Sequence, residues 1–308
     1  MDRLKLKQDY FAKTITKADY LKKINDLHRV LSEYSDFISG TEIDSIIISK
    51  TGVTYKTIEG NFFENDADDE HIPPKIAMNM NAYEKEELNM MDKLISLSNA
   101  KCILDIGTNI GWMSIHFLKK FTDSRVISFE PIPVTYDKLL KNFAINNLSA
   151  ADVYNTALGD YTGTVEFSFY PEGSGGASLA DNSGRDSVVK VAGKITKLDT
   201  FCAEKQIIPD FIKCDVEGAE LFVYRGGLEI ISKSKPVIFS EMLRKWSASF
   251  NYHPNDIISL LAEKGYECFC IDNENIRQIA EVTDSTIETN FIFLHKEKHS
   301  DIKKTLNR

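Results

Sequence analysis

Short apolar runs alternate with amphipathic segments from about residue 101 to the C-terminus. The apolar runs have the length of β-strands, and they begin at Cys102, Arg125, Ala151, Phe211, Pro236, Tyr266 and Asn290. Segments between them, such as Gly111–Lys120 and Thr135–Asn146, carry apolar residues at helical spacing. This alternation predicts an α/β, Rossmann-like fold with a parallel sheet that is covered on both faces. A ligand is then expected outside the carboxyl ends of the strands, where the strand order reverses.

The first 80 residues follow a different pattern. Up to about residue 39 the chain is polar, with apolar residues at helical spacing at Leu21, Ile24, Leu27, Val30, Leu31 and Tyr34. Two β-branched runs flank Lys50-Thr51-Gly52 and predict a hairpin, and Pro73-Pro74 marks a boundary. We therefore predict a small α+β accessory or capping region at 1–80 and a Rossmann-like domain at 81–308, with Tyr83–Ser98 as its first helix. The accessory region is a candidate for homodimerisation, although its apolar stripe is equally an ordinary packing face.

A longer insertion separates the third and fourth predicted strands of the sheet. It runs from about Leu158 to Thr200 and contains two strand candidates, Val165–Tyr170 and Val188–Val191. The Gly-rich stretch Gly173–Ser178 lies between those candidates. Flexible loops of this kind above a switch point often cover substrates, so we predict a lid here.

Charge and cysteine content narrow the class of protein. The 308 residues carry a formal net charge of −9, so nucleic acid and anionic membrane surfaces are poor default partners. The five cysteines form no CxxC pair, which argues against a zinc site and favours free thiols in a reducing compartment. We find neither an apolar run of the ~20 residues that a membrane span needs nor a secretory signal, so the expected location is the cytoplasm.

A Gly-rich turn follows the first strand of the α/β region. It reads Asp105-Ile-Gly107-Thr-Asn109-Ile-Gly111 and leads directly into a helix. Gly107 allows a tight turn, and Gly111 allows close packing or the approach of a ligand. The helix N-terminus offers unpaired N–H groups. Asp105 is placed to meet a polar or cationic group.

The next strand ends in Glu130, whose carboxylate could accept both hydrogen bonds of a ribose diol. An NAD site and an S-adenosylmethionine site share this feature. The dinucleotide fingerprint G-x-G-x-x-G has a second glycine where this chain has Asn109, and Asp105 would repel a pyrophosphate. S-adenosylmethionine carries a sulfonium cation and no phosphate, so the loop favours it. An NAD(P)-dependent oxidoreductase or a sugar-nucleotide-modifying enzyme remains the alternative.

Further acids close the fourth and fifth strands. Asp215 and Glu241 should stand at the same sheet edge, where they could act as a general base, position a substrate hydroxyl or bind a divalent metal. His253, in the loop that follows, is a third candidate base. Glu220 is expected in the first turn of a helix rather than in the site.

These residues belong to a longer series of motifs that resembles the FkbM family of S-adenosylmethionine-dependent methyltransferases. The matching segments, in order, are Leu104–Trp112, Phe129–Pro133, Asn142–Asn147, Asn155–Asp160, Leu198–Thr200, Ile212–Glu220 and Val237–Glu241. The resemblance implies a seven-stranded class I methyltransferase sheet and methyl transfer to a hydroxyl of a sugar, glycan or glycosylated natural product. Thr108 departs mildly from the alanine that is usual in the family.

The same resemblance implies roles for single residues. The methionine part of the cofactor would lie against Asp105, Gly107, Thr108, Asn109 and Gly111. The ribose would bind Glu130 beside Pro131, and the adenine would lie near Thr156 and Ala157. Asp215 would lie near the transferred methyl group or the acceptor.

Overall fold

The computed structural model describes residues 3–170, 173 and 188–307. The N-terminal part consists of two helices, a small antiparallel sheet and a third helix. Their bounds are α1 (Arg3–Phe11), α2 (Lys17–Phe37), β1 (Ile43–Ile48), β2 (Val53–Thr57), β3 (Phe62–Glu64) and α3 (Pro73–Met80). The predicted hairpin is confirmed, because β1 pairs antiparallel with β2 across the turn that joins Ile48 to Val53.

An eight-stranded sheet forms the body of the protein. Its strands, in chain order, are β4 (Cys102–Ile106), β5 (Arg125–Phe129), β6 (Val153–Tyr154), β10 (Phe211–Cys214), β11 (Val237–Glu241), β12 (Tyr266–Asp272), β13 (Asn275–Gln278) and β14 (Asn290–His295). In space they follow the order β13-β12-β14-β11-β10-β4-β5-β6. The five strands from β6 to β11 run parallel, while β14, β12 and β13 pair antiparallel. The predicted α/β, Rossmann-like sheet is confirmed, and β13 adds an eighth strand at its edge.

Helices cover this sheet and connect its strands. They are α4 (Lys85–Ser98), α5 (Trp112–Lys120), α6 (Pro133–Ile145), α7 (Leu198–Lys205), α8 (Glu220–Arg225), α9 (Leu228–Ser234), α10 (Arg244–Ala248), α11 (Pro254–Ala262) and α12 (Ser300–Leu306). The chain goes from β4 outward through β5 to β6 and then crosses to β10 on the other side of β4. The strand order therefore reverses between β4 and β10, and a ligand site is expected at their carboxyl ends.

The insertion after β6 forms a second small sheet. It contains β7 (Ala157–Gly159), β8 (Gly163–Phe169) and β9 (Val189–Lys197), and β9 lies between the other two. Both predicted strands of the insertion are therefore present. Apart from Gly173, the predicted lid stretch Gly173–Ser178 lies outside the described residues.

The N-terminal region packs directly on the helices of the large sheet. The amide oxygens of Asn146 and Asn142 accept hydrogen bonds from the backbone N–H groups of Phe62 and Glu64, both at 2.9 Å. Phe63, between them on β3, is fully buried and stacks on Trp112 of α5 at 4.9 Å between ring centroids. These contacts bring β3 against α5 and α6, while a domain boundary near residue 80 stays a prediction.

A buried histidine holds a second connection between the two parts. The ring of His116 on α5 lies between Glu59, at 2.7 Å from Nδ1, and Asp92 of α4, at 3.0 Å from Nε2. A histidine can donate from both nitrogens only when it is protonated. Burial opposes this charge, but the hydrogen bonds to Asp92 and Glu59 outweigh it and raise the pKa of His116 to about 9.

This network should make stability depend on pH in the alkaline range. The pKa of an unfolded histidine is about 6.5, so the contribution is complete below that pH and is lost as the pH rises through about 9. We expect the difference in unfolding free energy between wild type and His116→Gln to shrink by about 3 kcal/mol between pH 6.5 and 10. Urea denaturation at both pH values measures it, and a difference that does not change with pH would contradict the protonated network.

All five cysteines are free, and four of them are buried. In the described part of the chain, no helix is long and apolar enough to cross a membrane.

Candidate active site

A cavity of about 510 Å³ opens at the carboxyl ends of β4, β5 and β10. This is the edge at which the strand order reverses. One half of the wall comes from the turn after β4 and the segment after β5, and the other half comes from acidic residues at the carboxyl ends of β10 and β11. The N-terminal region contributes His71, Pro73 and Ile76 to the rim.

The turn after β4 is built around close backbone contact. Gly107 has φ +81°, and a Cβ there would lie 1.7 Å from the carbonyl oxygen of Asp215. Asn109 also has a left-handed backbone, with φ +53°, and its N–H donates to Glu130 at 3.0 Å. The side-chain oxygen of Asn109 is buried and has no hydrogen-bond partner within the described residues. The turn therefore presents an unused acceptor at the wall of the cavity.

Glu130 is nearly fully buried and is held by the backbone on both sides. One carboxylate oxygen accepts from Asn109, and the other accepts from the N–H of Ile132 at 2.9 Å. Burial raises the pKa of Glu130 to about 7, although these two hydrogen bonds lower it in part. The same half of the cavity is lined by Pro131 and by the two predicted adenine neighbours, Thr156 and Ala157.

Two residues of the turn lie behind the cavity wall. Asp105 is fully buried, and one of its carboxylate oxygens accepts a 2.5 Å hydrogen bond from Ser114 of α5. Gly111 has φ +94°, and a Cβ there would lie 2.6 Å from Leu139 of α6. Neither residue lines the cavity, whereas Thr108 does. Asp105 and Gly111 therefore support the turn, because their positions face the covering helices.

The other half of the cavity is acidic. Asp215 and Glu241 follow paired residues of β10 and β11, as predicted for acids at one edge, and their carboxyl groups are hydrogen-bonded. Glu217 and Glu84 line the same end. Burial, followed by repulsion from Asp215, raises the pKa of Glu241 and of Glu217 well above the usual carboxyl range. The same causes raise the pKa of Glu84 to about 7.

A single buried lysine lies among these acids. The ammonium group of Lys213 on β10 is 3.0 Å from the carbonyl oxygen of Gly107, 3.2 Å from Asp215 and 3.5 Å from Asp105. Burial alone would lower the pKa of Lys213. The neighbouring carboxylates, led by Asp215 and Asp105, outweigh burial and raise it above its usual range. Lys213 thus stays charged and joins the two turns that form the floor of the site.

Comparison with known protein families shows which family this chain belongs to. The family described as "Methyltransferase FkbM domain" matches residues 105–268, which is more than half of the chain. The chain belongs to the FkbM methyltransferase family. The matched span begins at the Gly-rich turn and includes every acidic residue of the cavity except Glu84.

Individual FkbM relatives and other methyltransferases match over parts of the chain. Methyltransferase sdnD of Sordaria araneosa is 27% identical over 203 residues, which cover 56% of this chain and 76% of that protein. The 2-O-methyltransferase NoeI of Sinorhizobium fredii is 30% identical over 149 residues, which cover 43% of this chain and 60% of NoeI. A solved FkbM methyltransferase from Methylobacillus flagellatus is 19% identical with a TM-score of 0.39, covering 63% of this chain and 44% of that one.

The sequence analysis did not assign every residue that lines this methyltransferase's cavity. Glu84, Lys213 and Trp246 are among those it missed. The signal for Lys213 was a lone charge inside the apolar run of β10, two residues before Asp215 and therefore on the same face of the strand. Glu84 has φ +48° just before α4 begins, which no sequence pattern indicates.

His253 lies elsewhere in the FkbM chain. Its exposed side chain caps α11, where Nδ1 accepts a hydrogen bond from the N–H of Asn255 at 3.2 Å. It is absent from the residues that line the cavity in the described structure. Glu220, as expected, begins α8, and its carboxylate accepts from the backbone N–H groups of Val216 and Gly218.

The metal hypothesis had two possible ligands, Asp215 and Glu241. In the ranges described, no group of three or more His, Cys, Asp or Glu residues is arranged to hold a metal ion. Two carboxyl groups that share a hydrogen bond and stand beside Lys213 make an incomplete donor set for a divalent cation, which prefers six or more oxygen ligands.

Proposed function

We propose that this protein is an S-adenosylmethionine-dependent O-methyltransferase that acts on a hydroxyl of a sugar, a glycan or a glycosylated natural product. The observation that carries the proposal is the division of one cavity into two halves. One half offers backbone and amide groups with Glu130, and the other half is acidic. The cavity volume of about 510 Å³ falls in the range of small-molecule sites.

The first half supports the choice of cofactor. S-adenosylmethionine contains a ribose diol, which suits Glu130, and a methionyl ammonium group, which suits the unpartnered side-chain oxygen of Asn109. It carries no phosphate, and this wall contains a buried carboxyl group where a dinucleotide would place negative charge. The dinucleotide alternative loses support because the chain belongs to a methyltransferase family.

The acidic half supports an acceptor without phosphate or carboxylate groups. Glu84, Asp215, Glu217 and Glu241 surround the buried cation Lys213, which is already paired, while the second lysine of the lining, Lys245, is exposed. An anionic acceptor would add repulsion in a poorly solvated space, whereas hydroxyl or ammonium groups would supply hydrogen bonds to these carboxyls. The name of the relative NoeI, a 2-O-methyltransferase, supports a hydroxyl as the reacting group.

The residues of the chain supply positioning and a base. S-adenosylmethionine, when bound, brings a methyl group that its sulfonium already activates. The two halves of the cavity would fix cofactor and acceptor side by side, and such positioning can supply ~7–11 kcal/mol of the barrier reduction. Burial and repulsion from Asp215 raise the pKa of Glu241 well above the usual carboxyl range, so Glu241 holds a proton, and Lys213 pairs with Asp215 at 3.2 Å. The ionised member of this pair accepts the proton of the acceptor hydroxyl.

Removal of the base should lower turnover much more than cofactor binding. We expect Asp215→Asn to reduce kcat by ~100-fold, because a positioned base contributes about 10²–10⁴-fold, and Glu241→Gln to reduce it less, because Glu241 is the protonated member of the pair. Dissociation constants for S-adenosylhomocysteine should change little, and calorimetry measures them. His253→Gln is the matched control and should keep wild-type kcat. Full activity of both carboxyl variants would reject the pair as base, and activity that survives EDTA would reject a metal-assisted version.

Glu130 should make cofactor affinity depend on pH. Its pKa of about 7 means that the carboxylate, which accepts the backbone and ribose hydrogen bonds, is lost as the pH falls below 7. We expect S-adenosylhomocysteine to bind Glu130→Gln ~10–100-fold more weakly than wild type at pH 8, since hydrogen bonds to a charged group are worth ~1.5–3 kcal/mol. The wild type should bind more weakly at pH 6 than at pH 8, and the variant should lose this difference. Equal pH profiles would contradict the role of Glu130.

The whole proposal is tested by binding and by methyl transfer. S-adenosylhomocysteine should bind the wild-type protein while NADH does not. With labelled cofactor, the protein should then methylate a neutral sugar or an amino sugar in preference to the phosphorylated form of the same sugar. Binding of NADH alone would overturn the cofactor, and preference for the phosphorylated sugar would overturn the acceptor class.

The free cysteines support the predicted cytoplasmic location.

A further inference from the structure

The chain contains two tryptophans, and both line the cavity. Trp112 belongs to the core, because it is 8% exposed, stacks on Phe63 and meets Tyr83 edge-on at 5.8 Å between ring centroids. Trp246 on α10 is half-buried, and within the described residues its ring pairs with no other aromatic ring and its indole N–H has no acceptor. The ammonium group of Lys245 lies 4.6 Å from its centroid. Trp246 therefore keeps a hydrogen-bond donor that the described fold does not use, whereas a buried indole N–H usually has a partner.

The backbone of Trp246 is fixed against the turn after β10. Gly218 in this turn has φ +97°, and a Cβ there would lie 2.8 Å from the carbonyl carbon of Trp246. The hydroxyl of Tyr252, from the loop after α10, donates to the carbonyl oxygen of Gly218 at 2.9 Å. The N–H of Trp246 donates to the carbonyl oxygen of Leu243 at 3.0 Å. Since Glu217 directly precedes Gly218, these contacts place Trp246 in the acidic half of the cavity.

The surroundings of this indole match a sugar ring. The face of an aromatic ring is negative, so it attracts the C–H groups of a sugar, whose hydrogens are slightly positive because their carbons carry oxygen. Glu217 and Glu241 line the same half of the cavity, and their carboxyl groups can form hydrogen bonds with the hydroxyls at the edge of the sugar. The adenine of the cofactor is the rival occupant, but the residues predicted to contact it, Thr156 and Ala157, belong to the other half.

We propose that Trp246 is the platform on which the sugar ring of the acceptor stacks. This inference rests on the proposed function, because it names the residue that recognises the acceptor of that reaction. Lys245 already places a cation at the indole, so the group that remains to be bound there needs no charge. The fixed backbone of Trp246 keeps the cost of ordering the platform low. The site then favours a cyclic sugar over an open-chain polyol, which has no flat face to stack.

Steady-state kinetics with labelled S-adenosylmethionine tests the platform. The acceptor probes are the methyl glycosides of glucose, galactose, mannose and glucosamine. Trp246→Ala should raise KM for the best of them on the order of 10–100-fold, with little change in kcat, because a stacking contact serves ground state and transition state alike. Trp246→Phe should recover most of this loss, since it keeps an aromatic face.

Tyr161→Ala is the matched control for the loss of an aromatic side chain. Tyr161 is 44% exposed and is not among the described residues that line the cavity, so this variant should keep the wild-type KM. A thermal melt checks that each variant is folded. An unchanged KM in folded Trp246→Ala would overturn the platform.

Two further measurements separate the acceptor from the cofactor and from the rest of the proposal. Calorimetry should give the same dissociation constant for S-adenosylhomocysteine in wild type and Trp246→Ala; a tenfold weaker binding would mean that adenine stacks on this ring. The wild type should prefer the best glycoside to the corresponding open-chain hexitol, and Trp246→Ala should lose this preference. A wild type that binds S-adenosylhomocysteine but methylates none of the glycosides would reject the proposed function itself. Methylation that Trp246→Ala leaves unchanged would reject this inference alone.

Discussion

Gly107→Ala is expected to abolish measurable binding of S-adenosylhomocysteine. The added Cβ would lie 1.7 Å from the carbonyl oxygen of Asp215, so the turn after β4 and the turn after β10 would have to separate. Both turns form the floor of the cavity, and Lys213 bonds to both. We expect affinity to fall by more than ~100-fold, and calorimetry measures it beside a thermal melt that reports the remaining fold.

Gly60→Ala separates steric overlap from backbone strain. Gly60 has the same φ of +81°, but a Cβ there would have nothing within 4 Å. This control should lose only the ~1–2 kcal/mol that a left-handed backbone costs an alanine, and it should bind cofactor normally. If both variants bound equally well, the close approach of the two turns would have no importance for the site.

The Gly-rich turn shows how far local sequence carries the prediction. Gly107, Asn109 and Glu130 were placed at the site from their spacing after two strands, and all three line the cavity. Their places at the cavity follow from local features, because parallel strands end at one edge, while their contact with a cofactor stays a prediction. The family resemblance implied that Asp105 and Gly111 also contact the cofactor, while the spacing left Gly111 open between packing and the approach of a ligand. The spacing could not tell whether a residue of the turn faces the cavity or the covering helix, since packing against α5 and α6 decides that.

The acidic half shows where local sequence ends. Glu84 reaches Asp215 only because the chain leaves α3 through a left-handed residue at Asn81 and enters α4 through another at Glu84 itself. Neither bend has a sequence signature. The prediction of His253 as a candidate base has a related limit. Its loop was correctly placed after β11, but its side chain caps a helix. Residues whose role depends on long-range packing therefore need the structure.

Three of the non-glycine residues with a left-handed backbone lie at this site. Asn109, Glu217 and Glu84 all line the cavity with φ near +50°, a region that costs such residues free energy. Their strain is offset by contacts that fix them, such as the bond from Asn109 to Glu130. Lys213 stabilises the negative charges of the site, because it pairs with both Asp105 and Asp215 in a space that excludes most water.

Lys213→Met should therefore be among the most destabilising single changes in the protein. Removal of one partner from a buried ion pair costs ~3–5 kcal/mol, since the remaining carboxylate stays desolvated without compensation. Asp105 is fully buried and would be that carboxylate. Urea denaturation should report the loss of stability. Methyl transfer should fall as well, because the carboxyl pair of Asp215 and Glu241 loses its neighbouring cation.

Two comparison variants make this test specific. Lys56→Met breaks a 2.8 Å ion pair with Asp44 whose side chains are 36% and 46% exposed, so its cost should be close to zero because water screens the pair. Adding Asp105→Asn to Lys213→Met should recover part of the lost stability, because it removes the uncompensated charge. If the double variant were no more stable than Lys213→Met, the lysine would act through packing alone, and the electrostatic account of the site floor would have to be abandoned.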